Sequence, residues 1–242
     1  HRLSIQLRTL GMTPHPVALD NYFVNREDTP LDENGDYNFE CLEAIDVKKF
    51  NDDMIRLLGG ERVEIPEFNF KIGRREYNGN YMQLGKEDVL VIEGIHALNP
   101  RLTALLPEGS AFKIYAGMRE EYSRDGQRIL PTRDVRLARR MVRDHKFRGH
   151  SLEKTFSMWP AVCEGEDKNI KVFKPEADLL LDTSFSYEVC CLAPFVTALR
   201  GELAPGMPYA AQLESLCSRF ALCMPLPEQS IPRTSMLREF IG

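Results

Sequence analysis

The chain has 242 residues, enough to bury a sizeable core, with 43% hydrophobic and 28% charged residues, the balance of an ordinary soluble globular protein. Its formal net charge of −5 argues against wholesale binding of nucleic acid or of an anionic membrane surface. Six cysteines, at 41, 163, 190, 191, 217 and 223, form no C-x-x-C pair, so neither a zinc site nor a disulfide framework is indicated. Reduced thiols in a cytoplasmic protein are expected. No apolar run reaches membrane-spanning length, and no signal-peptide pattern opens the sequence.

His1 to Leu10 reads as a helix already under way, apolar at Leu3, Ile5, Leu7 and Leu10 and closed by Gly11. That start predicts a longer natural polypeptide. Pro16 to Asp20 (PVALD) is a short apolar run ending in an acid, as a buried strand would be. Residues 21–46 are polar and rich in turn formers, which suits a functional loop better than a plain connection. Val47 to Leu58 is an amphipathic helix stopped by Gly59-Gly60, and residues 61–84 form a hairpin-like insertion carrying Phe68, Phe70, Tyr77 and Tyr81. Val89 to Gly94 (VLVIEG) repeats the design of an apolar run followed by an acid, and Pro100 to Leu106 is a short helix. Phe112 to Ala116 and Ala177 to Asp182 are two further strands, with helices at Ser151 to Cys163 and Ser184 to Leu199. The apolar runs are mostly unbroken rather than alternating, as in a parallel sheet with crossover helices on both faces. The alternation predicts an α/β doubly wound domain over residues 1–200, with 201–242 as a helical C-terminal appendage.

Between the third and fourth strands, Arg128 to His150 holds seven arginines and one lysine. Pro131-Thr132 fits a helix start, with the hydroxyl capping orphan N–H groups. Val135, Leu137, Ala138, Met141 and Val142 make the apolar stripe. Arg136, Arg140 and Arg143 share one face with Arg139 beside it, and Arg148-Gly149 ends the helix. Guanidinium groups so concentrated fit a gripped polyanion such as a nucleoside triphosphate, or else a basic face paired with the chain's own acids. Asp20 and Glu93 point to a site of a different kind. In open α/β sheets ligands bind at the carboxyl ends of the strands, so both carboxylates are expected at one crevice. A hydrophobic strand followed by an acid is also how many phosphoryl-transfer enzymes hold Mg²⁺. Either acid alone is more simply a cap or a solvent-facing group; together, ahead of an arginine helix, they favour a common site.

The ordered motifs LDNYF, NFECLEAID, IPEFNFKIGRRE, VLVIEGIHAL and DVRLARRMVRDHKFRG resemble the uridine kinase and phosphoribulokinase-like branch of P-loop kinases, from about residue 1 to about residue 186. The resemblance implies a P-loop kinase fold, a mostly parallel sheet flanked by helices, and an ATP- and Mg²⁺-dependent phosphotransferase acting on a nucleoside, uridine or cytidine first. It implies that a G-x-x-x-x-G-K-[ST] loop and a central strand precede His1; the 242 residues contain neither. By the same resemblance Asp20 is the general base toward the attacking 5′-hydroxyl, and Glu93 helps hold Mg²⁺. Arg139 and Arg143 are lid arginines on the phosphates, unpaired or loosely paired without ligand, and Arg148 is the arginine at the lid's end. Phe68 and Phe70 sandwich the nucleobase, with Glu40 and Arg75 binding the acceptor. The partners implied are a nucleoside and ATP, with no nucleic acid and no membrane, and a homo-oligomer is left open.

Two departures bear on the acceptor. Gly73 stands where such kinases carry a histidine, and Glu40 where they carry a ribose-binding aspartate. Losing a buried base-edge contact changes discrimination strongly. A kinase for another small alcohol is therefore the competing enzymatic reading. A nucleotide-binding regulatory domain without turnover is the competing non-enzymatic one, although a strand-end base such as Asp20 has no purpose there. The remaining histidines, His15, His96, His145 and His150, show no ligand spacing and are expected in surface or packing roles.

Overall fold

The computed structural model describes residues 2–33, 35–202 and 206–242; His1 and the start of the C-terminal stretch at 203–205 lie outside them. The chain divides into two compact units, one formed by residues 1–115 and 163–179, the other by 116–162 and 180–242. Among the described residues, no helix is long and apolar enough to cross a membrane, and all six cysteines are free.

The first unit begins with α1 (Arg2–Thr9) and β1 (Thr13–Ala18), followed by α2 (Val47–Leu58). Asp46 caps α2 by accepting from the Lys49 N–H at 2.9 Å, which satisfies one of the donors every helix start leaves open. Phe50, Met54 and Leu57, one helical stripe, are buried against Val17, Leu19 and Tyr22. Side chains of that size contribute roughly 1.5–3 kcal/mol each on burial. The insertion at 61–84 is two antiparallel pairs: β2 (Val63–Glu64) with β5 (Tyr81–Met82), and β3 (Glu67–Asn69) with β4 (Arg74–Glu76). Next come β6 (Asp88–Glu93) and the short α3 (Pro100–Thr103).

β1 and β6 form a parallel two-stranded ladder in which Thr13 lies opposite Asp88 and Ala18 opposite Glu93. Pro14 and Pro16 fall on alternate positions of β1, so both take the same edge. A proline cannot donate to a ladder and is tolerated where that edge is unpaired. Beside β6 an apolar recess of about 720 Å³ is lined by Leu3, Val89, Val91, Leu102 and Phe112. Neither Asp20 nor Glu93 lines it.

β7 (Ile114–Gly117) pairs with β10 (Leu179–Asp182) as a separate two-stranded sheet. The four apolar runs expected in one sheet are thus resolved as two pairs. β10 is exposed along its length, where its unbroken leucines predicted cover on both faces.

The second unit holds β8 (Tyr122–Arg124) and β9 (Gln127–Leu130), an antiparallel hairpin the sequence reading passed over. Its turn is Asp125-Gly126, with φ of 52° and 76°, the two left-handed residues that a tight hairpin requires. α4 (Thr132–Phe147) follows, then α5 (Leu152–Asn169), which passes into the first unit at Cys163, and back in the second α6 (Glu188–Ala198), α7 (Ala210–Phe220) and α8 (Arg238–Ile241). α5 continues six residues past the expected end at Cys163, to Asn169. Val135, Ala138, Met141 and Val142 of α4 pack in one core with Leu192, Val196, Leu213, Phe220 and Ile241. Thr132 does not cap α4; its hydroxyl donates to the Glu120 carbonyl at 3.4 Å.

Candidate active site

β1 ends at Ala18, two residues earlier than the sequence suggested, and Asp20 lies in a 3-10 turn, Leu19–Tyr22. Three contacts fix that turn. Tyr22 is fully buried, its ring edge-on to Phe50 at 5.2 Å. Its hydroxyl donates to Asp53 at 3.3 Å, and Lys49 closes on the same carboxylate at 2.7 Å. Asn21 accepts the Phe68 N–H at 3.3 Å, tying the turn to β3. Burial, helped by the Asp53 charge, pushes the Tyr22 phenol far above its ordinary range, so it stays a neutral donor.

The parallel register sets Glu93 opposite Ala18, hence at the same strand edge as Asp20. Gly94 follows with φ of 153°, and a Cβ built on it would lie 2.7 Å from Leu19 Cβ. Any side chain at 94 would therefore press the Asp20 turn away from β6. Partial burial raises the Asp20 pKa, and burial followed by the Asp20 charge raises that of Glu93. Among the described residues neither carboxylate has an ion-pair or hydrogen-bond partner. The expected juxtaposition of the two acids is found.

The aromatic pair is found too, inside a larger cluster. Phe68 and Phe70 meet at 5.1 Å, Phe23 touches them at 5.6 and 6.3 Å, and Phe39 lies 6.3 Å from Phe23. Phe68 is 7% exposed but Phe70 58% and Phe39 40%, so the cluster has one anchored ring and open ones. Phe23 and Phe39 were not singled out from the sequence, although both lie in the 21–46 loop it marked as functional. Glu40 is half-buried, its carbonyl accepting from Asn169 at 2.7 Å. His96 is buried beside the main chain of Glu40 and Cys41, and that burial lowers its pKa. Arg75 donates to Asp46 at 2.9 Å; burial works to raise the Asp46 pKa, but the Lys49 N–H and this guanidinium outweigh it and hold the group low.

The arginine helix, described within its own unit, differs from expectation. Arg139 makes a two-pronged pair with fully buried Glu188, its Nη2 donating to Oε2 at 2.6 Å, and lies 5.1 Å over the Phe240 ring. Arg143 bonds Asp144 at 3.1 Å. Asp144 is fully buried and also faces Arg140 at 3.3 Å, Arg148 at 3.6 Å and His150 at 3.9 Å. Arg139 and Arg143 are therefore not loosely paired. Their partners are a residue on another helix and the very next residue in the chain, and the first could not be read from spacing.

Residues 18–124, which include both carboxylates and the aromatic cluster, match the model of the Phosphoribulokinase / Uridine kinase family. The resemblance to that family is shown. The uridine kinase of Halobacterium salinarum is 25% identical over 173 residues, 71% of this chain and 69% of that one. That of Staphylococcus aureus is 26% identical over 179 residues, 72% and 78%. Among solved structures, a possible uridine kinase from Bacillus stearothermophilus aligns with a TM-score of 0.44 at 15% identity, covering 75% of this chain and 78% of that chain.

Proposed function

We propose that this protein is a kinase that transfers a phosphoryl group from Mg·ATP to the 5′-hydroxyl of a nucleoside, uridine or cytidine first. Its likeness to uridine kinases supports a phosphotransferase of small molecules. The observation that carries the reading furthest is the register that brings Asp20 and Glu93 to one strand edge, with no ion-pair partner for either among the described residues.

In this reading Asp20 accepts the proton as the acceptor hydroxyl attacks. Its raised pKa moves it toward the operating pH, where a general base is most effective. Glu93 holds Mg²⁺, directly or through water. Magnesium usually takes one or two carboxylates and completes its shell with water and phosphate oxygens. Two partnerless acids fit that pattern, and among the described residues no cluster of three or more His, Cys, Asp or Glu forms a closed cage. When bound, the ion would neutralise charge on the phosphates. Phe68 and Phe70 flank the base, Glu40 accepts from the sugar hydroxyls, and Arg75 supports the acceptor through Asp46. Arg143 and Arg148 supply positive charge toward the transferring group. Arg139, proposed with them, is the least suited because Glu188 already neutralises it. The sequence contains no G-x-x-x-x-G-K-[ST] run, so no residue is assigned to cradle the triphosphate.

The test is turnover of uridine and cytidine by the purified protein with Mg·ATP, read as nucleoside monophosphate. Formation of monophosphate that is lost in Asp20→Asn supports the reading. No product from any nucleoside, or full activity in that variant, ends it.

A further inference from the structure

Gly73 lies at the tip between β3 and β4 with φ of 70°, where a side chain is strained whatever the space. There is also no space. A Cβ built on Gly73 would fall 2.7, 2.8 and 2.9 Å from Cβ, Nε and Cζ of Arg26. The arginine stem lies flat across the glycine, filling the room a side chain at 73 would take. Its backbone confirms the seat: the Arg26 N–H donates to the Gly73 carbonyl at 2.8 Å. Its Nη2 donates to the Phe70 carbonyl at 2.7 Å. Phe70 is one of the open rings of the aromatic cluster, and Arg26 lies six residues after Asp20 in the same connection.

The charge of this guanidinium is uncommitted. Among the described residues no carboxylate lies within ion-pair distance of it, and neighbouring Glu27 is taken by Arg74 at 2.9 Å. A solvated surface arginine would also lack a partner. It would not be pinned at stem, main chain and one guanidinium nitrogen, with donors left over next to the main chain of Phe70. Guanidinium is a donor-only group with five N–H bonds, and one of them is used here. Ordering a long side chain ordinarily costs about 1.5–2 kcal/mol of rotamer freedom, and the seat on Gly73 has already spent it.

We propose that Arg26 is a specificity-determining residue of the acceptor site, donating to an oxygen of the acceptor, a carbonyl on a planar base or a carboxylate. This rests on the acceptor site proposed above. A donor-only group favours molecules that present acceptor oxygens beside a stackable ring and disfavours those that present only donors. An imidazole at position 73 could both donate and accept, so the exchange of chemistry at this rim narrows what is read rather than merely moving it.

Titration calorimetry on the full chain tests this apart from turnover. The ligands are uridine, purine riboside (ring nitrogens but no carbonyl) and glycerate (a carboxylate without a ring). Uridine is expected to bind more tightly than purine riboside. Arg26→Met, which keeps the stem over Gly73, should weaken uridine by about tenfold or more, as for a bond to a charged donor. Arg74→Met, which removes an equal charge nearby, should leave uridine within twofold. Tighter binding of glycerate than uridine, lost in Arg26→Met, would assign the oxygen to a carboxylate and still support the proposal. Uridine affinity unchanged in Arg26→Met, equal loss in Arg74→Met, or no binding of any of the three by the wild-type chain would overturn it. Binding that depends on Arg26 without phosphoryl transfer would leave this proposal standing and remove the kinase reading.

Discussion

Among the described residues Asp20 and Glu93 sit at a strand edge without an ion-pair partner, whereas along α4 arginines lean on buried carboxylates, Arg139 on Glu188 and Arg140, Arg143 and Arg148 on Asp144. The first arrangement works against folding, since burial disfavours the ionised form of both acids and the Asp20 charge adds to it at Glu93. The second works for it, because each buried acid would be very costly without its arginines. The contrast teaches which charges await a ligand. A domain stable by only about 5–15 kcal/mol keeps unpaired charge where something binds. Density of arginines in the sequence pointed to α4 as the active stretch; partner geometry points first to the carboxylate edge.

The contrast breaks most visibly if the edge is inert. Asp20→Asn should lower kcat about a hundred- to ten-thousand-fold, the usual contribution of a general base, with no loss of thermal midpoint. Near-normal turnover would place Asp20 outside the chemistry. On the other side, Arg139→Ala strands fully buried Glu188 and should destabilise the fold by about 3–5 kcal/mol in urea unfolding. Arg139→Lys should recover only part, since lysine cannot make the two-pronged contact. A stability change under ~1 kcal/mol, as for an exposed pair, would return Arg139 to the uncommitted class.

Gly94→Ala sharpens the edge itself. It should cost about 1–3 kcal/mol of stability from overpacking and reduce kcat more than KM for ATP, by displacing the Leu19–Tyr22 turn. The smallest effect is in pH dependence. A carboxyl whose folded pKa is raised binds more protons folded than unfolded between its ordinary value, about 4, and its raised one. Stability therefore falls as pH rises through that window and stays lower above it. Glu93→Gln should flatten this fall and slightly stabilise the protein at neutral pH, by well under ~1 kcal/mol for groups this open to water. Parallel urea curves at pH 4 and pH 7 would reveal it, and a variant destabilised at pH 7 would contradict the account in which burial and the Asp20 charge disfavour ionised Glu93.

Much of this was legible where the signal is local. The amphipathic run from Val47, its stop at Gly59-Gly60 and the hairpin-like insertion required only neighbours in sequence. So did the recurrence of acids after apolar strands. The Asp125-Gly126 hairpin carries an equally local turn signal, but its strands are only three and four residues long and show no apolar alternation. What could not be read depends on distant pairs. Glu188 stands 49 residues from Arg139, and nothing in the spacing of either announces the other. Gly73 was visible as an oddity, but the arginine laid across it was not. The end of β1 was misjudged because Leu19 is apolar and buried like a strand residue while its backbone has already turned.

The two prolines of β1 give the β1–β6 ladder a direction. Pro14 and Pro16 deny an approaching chain the N–H groups it would need on that flank. β6 carries no proline and offers Val89, Leu90, Val91 and Ile92 beside an apolar recess. Sheet growth is therefore one-sided: β1 terminates it, and β6 is the flank where another strand, native or adventitious, would template. Self-association of this chain through mispairing would run along β6, and a lysine or proline set there would act as a gatekeeper where β1 already has two.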